Sequence, residues 1–282
     1  MEEMSRGLKP KVRELKYRMM ITDLLKVAGK AFTYQELSEK LGLSPPILSR
    51  YMRGHVLPSY ARAQQLYEKL MEITNIKDAL MRRINFDEEG YFDNTPIVSE
   101  ITWLKILANY AVEKFAGRRV TKVLTAAVDG IPVATLIANL LDVNLIIAKE
   151  RKEVGIRDFI EKTYTVKGTA IRRCLYIPKA SIRRGVKKKK RKGGEEEERK
   201  RRMRETGDSV LIVDDVVRTG ETVRALVDLV ESRGAHVAGV YVLIALGYRW
   251  REYLSDVIER YPFEVFIEVC PAARLIERLG RR

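Results

Sequence analysis

The chain has 282 residues, enough for one large domain or two ordinary ones. Its formal charge of +15 suits a polyanionic partner, and no apolar run approaches the roughly twenty residues of a membrane span. Two isolated cysteines, Cys174 and Cys270, give neither a zinc pattern nor a disulfide framework, and the acidic amino terminus lacks a signal-peptide core. A soluble cytoplasmic protein with no membrane partner and no metal site of its own is expected.

From Pro10 to Thr74 the apolar spacing is helical throughout, with no strand-like alternation. Within it, "FTYQELSEKLGLSPPILSRYMRGHVLPS" reads as a helix over Tyr34 to Leu41, a turn at Gly42-Leu43-Ser44 and a second helix from Pro45 to Arg53. Ser44 suits the N-cap, and Pro45 the first helical position, where a missing amide costs nothing. Leu37, Leu41, Ile47 and Leu48 are spaced to pack the two helices together. This pattern resembles the helix-turn-helix of the phage-repressor-like group, in which Arg-Gly and then Pro often follow the second helix, here Arg53-Gly54 and Pro58. The resemblance implies double-stranded DNA as a partner, with Pro45 to Arg50 lying in the major groove. Ser44, Pro46, Ser49, Arg50 and Arg53 are then the DNA-binding residues, Ser49 and Arg50 nearest base edges and Arg53, with Lys40 and Arg62, nearest phosphates. A helical hairpin used for dimerisation is the alternative, against which the basic face of the second helix argues. Residues 1–83 form this helix-turn-helix domain.

Residues 84–98, acidic and rich in turn formers, read as a connector into a helix from Ile97 to Phe115, whose stripe is Ile101, Leu104, Leu107, Ala108 and Ala111. Trp103 reads as core or dimer interface. From residue 99 onward strands and helices alternate. "VTKVLTAAVDGIPVATLIANLLDVNLIIAKERK" gives a strand over Val120 to Ala127, a turn at Val128-Asp129-Gly130, a helix through Leu141, and a strand over Leu145 to Ala148 that ends in Lys149, Glu150, Arg151 and Lys152. That length implies a right-handed parallel crossover. "FIEKTYTVKG" and "IRRCLYIPK" read as an antiparallel pair, and the tract from Arg183 to Arg204 then carries thirteen Lys or Arg against four Glu.

"VLIVDDVVRTGET", Val210 to Thr222, reads as a buried strand, an acidic pair, a tight turn and the start of a helix with apolar residues at Val223, Leu226, Val227 and Val230. The first amides of such a helix have no intrahelical acceptor and favour a phosphate. Thr219 and Thr222 add hydroxyl donors, and Gly220 permits close backbone approach. Two carboxylates beside a phosphate nest make sense for a ribose phosphate, whose vicinal hydroxyls need acceptors. The segment resembles the phosphoribosyl-pyrophosphate (PRPP) signature of the type I phosphoribosyltransferase family. That resemblance implies that Asp214 and Asp215 hold ribose hydroxyls, that Arg218, Thr219, Gly220, Glu221 and Thr222 surround the 5′-phosphate, and that Mg2+ is carried in with PRPP. It implies a diphosphate loop at Val128, Asp129 and Gly130 supported by Lys149 and Arg151, with Glu150 standing where many members have Lys. It also makes residues 179–206 a charged flexible loop, to which Lys179 and Arg183 contribute as a lid. The plainer alternatives are an ordinary strand-to-helix turn at Asp214-Asp215, a solvated strand end at Lys149 to Lys152, and a solvated loop in place of one that grips DNA or PRPP.

"HVAGVYVLIAL" and "FEVFIEV" read as two further core strands, with Tyr248, Trp250 and Phe263 placed either to stack on a base or to fill the core. The expected fold is α/β, with an all-α helix-turn-helix domain followed by a type I phosphoribosyltransferase fold over residues 99–282. This is an open, mostly parallel doubly wound sheet with helices on both faces and ligands outside the carboxyl ends of its strands. Joined to a DNA-binding domain, it resembles the purine operon repressors of bacteria and related archaeal regulators. The resemblance implies a homodimeric transcriptional regulator of nucleotide metabolism that senses PRPP or a related nucleotide or phosphosugar, with no residue singled out as catalytic. The alternative is an active purine phosphoribosyltransferase of the adenine type with an autoregulatory DNA-binding domain, and the fused domain favours the sensor.

Overall fold

The computed structural model describes residues 10–86, 92–185 and 207–270. The chain divides into two compact units, one of Gly7–Lys114 and one that includes Phe115–Arg282.

The first unit is helical. Helix α1 (Pro10–Ala28) buries Ile21, Leu24, Leu25 and Ala28, a three-and-four spacing that makes one apolar face. That face packs on α4 (Tyr60–Thr74), which buries Ala63, Leu66, Tyr67 and Leu70, with the Tyr17 ring edge-on to Tyr60 at 5.6 Å. Between them lie α2 (Tyr34–Leu41) and α3 (Pro45–Met52). Helix α2 opens with a capping box, the Thr33 amide donating to Glu36 Oε2 at 2.7 Å and the Glu36 amide to Thr33 Oγ1 at 3.3 Å. It closes at Gly42, whose φ of 63° turns the chain toward α3. Ser44 occupies the N-cap position of α3, but its side chain makes no capping hydrogen bond. The turn is instead held by Arg62 Nη2, which donates to the Gly42 carbonyl at 3.1 Å. Leu37, Leu41 and Leu48 are fully buried as the spacing predicts, whereas Ile47 is 43% exposed.

Beyond α5 (Ile76–Met81), the acidic segment pairs as a short antiparallel ladder, β1 (Asn85–Phe86) with β2 (Phe92–Asp93). The helix expected from Ile97 to Phe115 is two helices, α6 (Thr95–Val98) and α7 (Ile101–Lys114). They part at Ser99, whose hydroxyl bonds back to the Thr95 carbonyl at 2.6 Å, and at Glu100, which pairs with Lys30 and Arg83. Ile101 therefore stands outside the stripe, and α7 buries Trp103, Leu104, Leu107, Ala108 and Ala111. Because α7 packs on α1, the division of the chain falls after Lys114 and not at the connector expected over residues 84–98.

The second unit is built on a five-stranded sheet of order β4-β3-β7-β8-β9, parallel throughout. Its elements are β3 (Lys122–Ala126), α8 (Ile131–Leu141), β4 (Asn144–Ala148), β7 (Ser209–Val217), α9 (Glu221–Ser232), β8 (His236–Leu246), α10 (Arg249–Tyr253), α11 (Ser255–Arg260) and β9 (Phe263–Val269). The antiparallel pair β5 (Phe159–Thr165) and β6 (Arg172–Pro178) lies off this sheet, with Phe159 opposite Pro178. Strands β7 and β8 are central, and their apolar runs are buried on both faces. The crossover through α8 leads outward from β3 to β4, and that through α9 leads the other way from β7 to β8. Right-handed connections of opposite direction put the two helices on opposite faces. The chain order therefore reverses between β3 and β7, the switch point at which open α/β sheets bind ligands outside the strands' carboxyl ends.

At the opposite, amino end of β7, Asp208 is fully buried. It accepts from Thr121 Oγ1 at 3.0 Å, from the Arg183 amide at 2.8 Å and from Arg183 Nη2 at 3.1 Å. Burial pushes its carboxyl up, but the hydrogen bonds from Arg183 and Thr121 outweigh it and leave the pKa below the ordinary range. A depressed carboxyl contributes stability above the ordinary carboxylate range and loses it as pH falls through the depressed value. Asp208→Ala should cost about 2 kcal/mol at neutral pH, since it strands three donors, and should flatten the acid limb of a urea-unfolding pH series. Among the described residues, no helix is long and apolar enough to cross a membrane.

Candidate functional site

A cavity of about 420 Å³ opens at this switch point. Its floor is the end of β7, its sides are the 127–130 turn after β3 and the 218–222 turn into α9, and the β5–β6 hairpin covers it.

Two glycines bring the two turns together. Gly130 is buried, and a Cβ there would stand 2.4 Å from Thr125 Oγ1 and 3.5 Å from Asp214 Oδ1, so only glycine lets the first turn lie against the acidic pair. Gly220 has φ of 98°, a conformation that turns β7 into α9 and that side chains resist. The Ala127–Val128 peptide is cis.

Asp214 and Asp215 form the last polar part of the floor, still within β7, which runs farther than the apolar stretch Val210–Val213 alone predicts. Burial, reinforced by repulsion from Asp215, raises the Asp214 carboxyl well above the ordinary range. Burial also raises Asp215, with the Asp129 charge adding to it. Asp215's amide donates to Asp214 Oδ1 at 3.2 Å. The pair holds protons more tightly than free carboxylates and releases them to solvent when a ligand donates hydrogen bonds to it or brings positive charge.

The phosphate turn is split in its loyalties. Arg218 is exposed at the mouth, and the amides at the start of the twelve-residue α9 face the cavity end with the positive pole of the helix. Glu221, by contrast, is buried in the cavity wall and already engaged: it accepts from the Lys167 amide at 3.0 Å and from the Thr219 hydroxyl. The Tyr164 hydroxyl lies 3.4 Å from Thr222 Oγ1. Glu221 and Thr222 thus fasten the hairpin to the turn.

Val128 and Asp129 line the cavity and are exposed, but Lys149 and Arg151 do not. These two instead line a second cavity of about 230 Å³ with Tyr176 and Phe159, where Lys149 pairs with Glu153. Glu150, between them, lines the main cavity, paired with Arg173 of β6 at 3.1 Å. Arg173 is the charged residue among several of the hairpin, Tyr164, Val166 and Leu175 included, that line the cavity and that sequence reading missed. Lys179, in the short turn Lys179–Ser181, and Arg183, on Asp208 at the far end of β7, do not line it, and residues 186–206 of the charged tract lie outside the described residues. Of the aromatic candidates, Trp250 is buried and stacked on Phe263 at 5.4 Å, while Tyr248 stands 75% exposed.

In the helical unit, Ser44, Pro46, Arg50 and Arg53 are exposed and Ser49 is half-buried, so the five named positions of α3 and its flanks share a solvent-facing surface with Ile47.

Comparison with known proteins follows this geometry. The family model described as the phosphoribosyl transferase domain matches residues 98–273, more than half of the chain. The chain belongs to the phosphoribosyl transferase domain family. It is 28% identical over 156 residues to the purine biosynthesis transcriptional repressor PurR of Bacillus subtilis, covering 55% of this chain and 47% of that protein. It is 52% identical over 62 residues to the adenine phosphoribosyltransferase of Symbiobacterium thermophilum, covering 21% of this chain and 36% of that one. The chain thus spans less than half the length of either relative. The crystal structure of adenine phosphoribosyltransferase from Rhodothermus marinus superimposes with a TM-score of 0.54 at 21% identity, covering 69% of this chain and 99% of that one, a likeness of fold. The phosphoribosyl transferase domain accounts for the parallel sheet and for the cavity at its switch point.

Proposed function

We propose that the chain is a DNA-binding transcriptional regulator, acting as a homodimer, whose phosphoribosyl transferase domain senses PRPP or a related nucleotide or phosphosugar and controls genes of nucleotide metabolism. One observation carries this: the same chain holds a cavity with buried carboxylate acceptors beside a helix amino terminus, and a helix α3 that, with its flanks, exposes Ser44, Pro46, Arg50 and Arg53. The likeness to a purine biosynthesis repressor supports the pairing. A ligand's 5′-phosphate takes the amides of α9 and the hydroxyl of Thr222, and its ribose hydroxyls donate to Asp214 and Asp215. Mg2+ enters bound to the diphosphate, next to Asp129 and the acidic pair. Ligand binding shifts the dimer between two spacings of its recognition helices, which grips or releases half-sites about one helical turn apart.

The test is selection of duplexes from a random library by the full chain, with and without PRPP. Enrichment of one palindromic sequence, with an affinity that PRPP changes, is the expected result, and a chain that enriches no sequence is not a DNA-reading regulator. Arg50→Ala should weaken binding of the selected duplex by roughly 10- to 100-fold, the worth of one base contact, and leave PRPP affinity unchanged in calorimetry. Equal duplex affinity would remove Arg50 from the reading surface.

A second reading, an adenine-type phosphoribosyltransferase that regulates its own operon, is favoured by the 52% identity over 62 residues to such an enzyme and by the complete Asp214–Thr222 segment. Positioning and electrostatics can serve that reaction without a special catalytic side chain. Pyrophosphate release from PRPP with one nucleobase would establish it.

A further inference from the structure

We propose that Arg173, poised by Glu150, is the diphosphate-recognising cation of this cavity and selects ligands that carry a diphosphate over sugar monophosphates. The inference rests on the ribose-phosphate reading of the site. Among the described residues that line the cavity, five are carboxylates, Asp129, Glu150, Asp214, Asp215 and Glu221, and two are cations, Arg173 and Arg218. Arg218 belongs to the turn into α9, at the phosphate end. The other end is bounded by the 127–129 turn and Glu150, and Arg173 supplies its positive charge. Lys149 and Arg151 face the second cavity, and Lys149 is taken up by Glu153.

A diphosphate placed against Asp129 and Glu150 without a cation would meet repulsion from both. A guanidinium offers the planar fork that binds two phosphate oxygens at once. One arm of that fork, Nη1, donates to Glu150 Oε1 at 3.1 Å, with the two side chains 51% and 52% exposed. A half-exposed pair of this kind is weakly held and easily exchanged. Glu150 therefore keeps Arg173 over the cavity and competes with the diphosphate for it. The side chain at 150 works against binding, and the one at 173 works for it.

The experiment is calorimetry of the full chain with PRPP and Mg2+ and, separately, with ribose 5-phosphate, which lacks the diphosphate. Arg173→Gln should lower PRPP affinity by about 10- to 100-fold, the loss of a hydrogen-bonded ion contact, and leave ribose 5-phosphate affinity within about twofold. Arg173→Lys should recover part of the loss, and Glu150→Gln should raise PRPP affinity alone. An Arg173→Gln variant that binds PRPP like the wild type overturns the assignment, and so does one that loses both ligands equally, because that marks a structural role. A wild-type chain that binds neither ligand overturns the ribose-phosphate reading itself and the assignment with it.

Discussion

Replacing Asp214 and Asp215 together by Asn should abolish PRPP binding while making the protein more stable. The affinity loss follows from two charged acceptors for the ribose hydroxyls, together roughly 3–6 kcal/mol, or more than 100-fold. The gain in stability follows from where those charges sit. Burial raises both carboxyls above the ordinary range, with repulsion from Asp215 adding to it at Asp214 and the Asp129 charge adding to it at Asp215. A carboxyl raised in the folded state contributes stability that is fully present below the ordinary carboxylate range and is lost as pH rises through the raised value. Asn carries no such charge. The melting temperature of the variant should therefore exceed the wild type's at alkaline pH, and the difference should vanish in acid. Ligand hydroxyls or a diphosphate-borne Mg2+ favour the ionised pair, so PRPP binding to the wild type should release protons and tighten as pH rises. Calorimetry in two buffers of different ionisation enthalpy reads this directly. A variant that keeps its PRPP affinity would place the ligand elsewhere in the molecule.

Gly220→Ala should damage fold and site at once. A left-handed backbone costs a side chain about 1–2 kcal/mol. The new Cβ would also stand 2.8 Å from Leu254 Cγ and 3.2 Å from Tyr253 Cδ1, and Leu254 is fully buried. Overlap of this kind adds about 1–3 kcal/mol. Gly247, with φ of 69° and nothing within 4 Å of its Cβ position, provides the control. Its alanine variant should show the backbone cost alone, and the difference between the two urea midpoints isolates the contact between the phosphate turn and Leu254. Equal midpoints would mean that Leu254 gives way freely.

Much of this site was legible because a strand, an acidic pair, a tight turn and a helix are contiguous in Val210 to Ser232, so local chemistry and tertiary placement coincide. The turn at Val128–Gly130 was legible for the same reason. The cation at 173 was not. It reaches the cavity through the register of β5 against β6 and the seating of that hairpin over the sheet, neither of which leaves a mark in residues 159–178. Lys149 and Arg151 stand where the family resemblance places a basic position, but the bend after β4 puts them in the second cavity and leaves Glu150 in the first. Glu221 was read as part of the phosphate turn, and its commitment to the Lys167 amide depends on a residue fifty-four positions away. In the helical unit, Ile47 has the spacing of a core residue but falls on the outer side of a helix of only eight residues, too short for its stripe to be unambiguous. The Thr33–Glu36 capping box, in contrast, was present in the sequence as Thr-x-x-Glu and could have fixed the start of α2.

The pairing of β7 with β3 also governs how the domain is born. Thr121 and Ser209 are bonded across 88 positions of chain, and the strand that completes the switch point is made after β3, α8, β4 and the hairpin. At about 5–20 residues per second of synthesis, β3 waits roughly 4–18 s for its partner. During that time Val123, Leu124, Val133 and Ile137, all fully buried in the finished domain, have no β7 to pack against. A nascent chain arrested before Ser209 should accordingly bind a holdase chaperone and be digested readily by protease, and one extended past β8 should do neither.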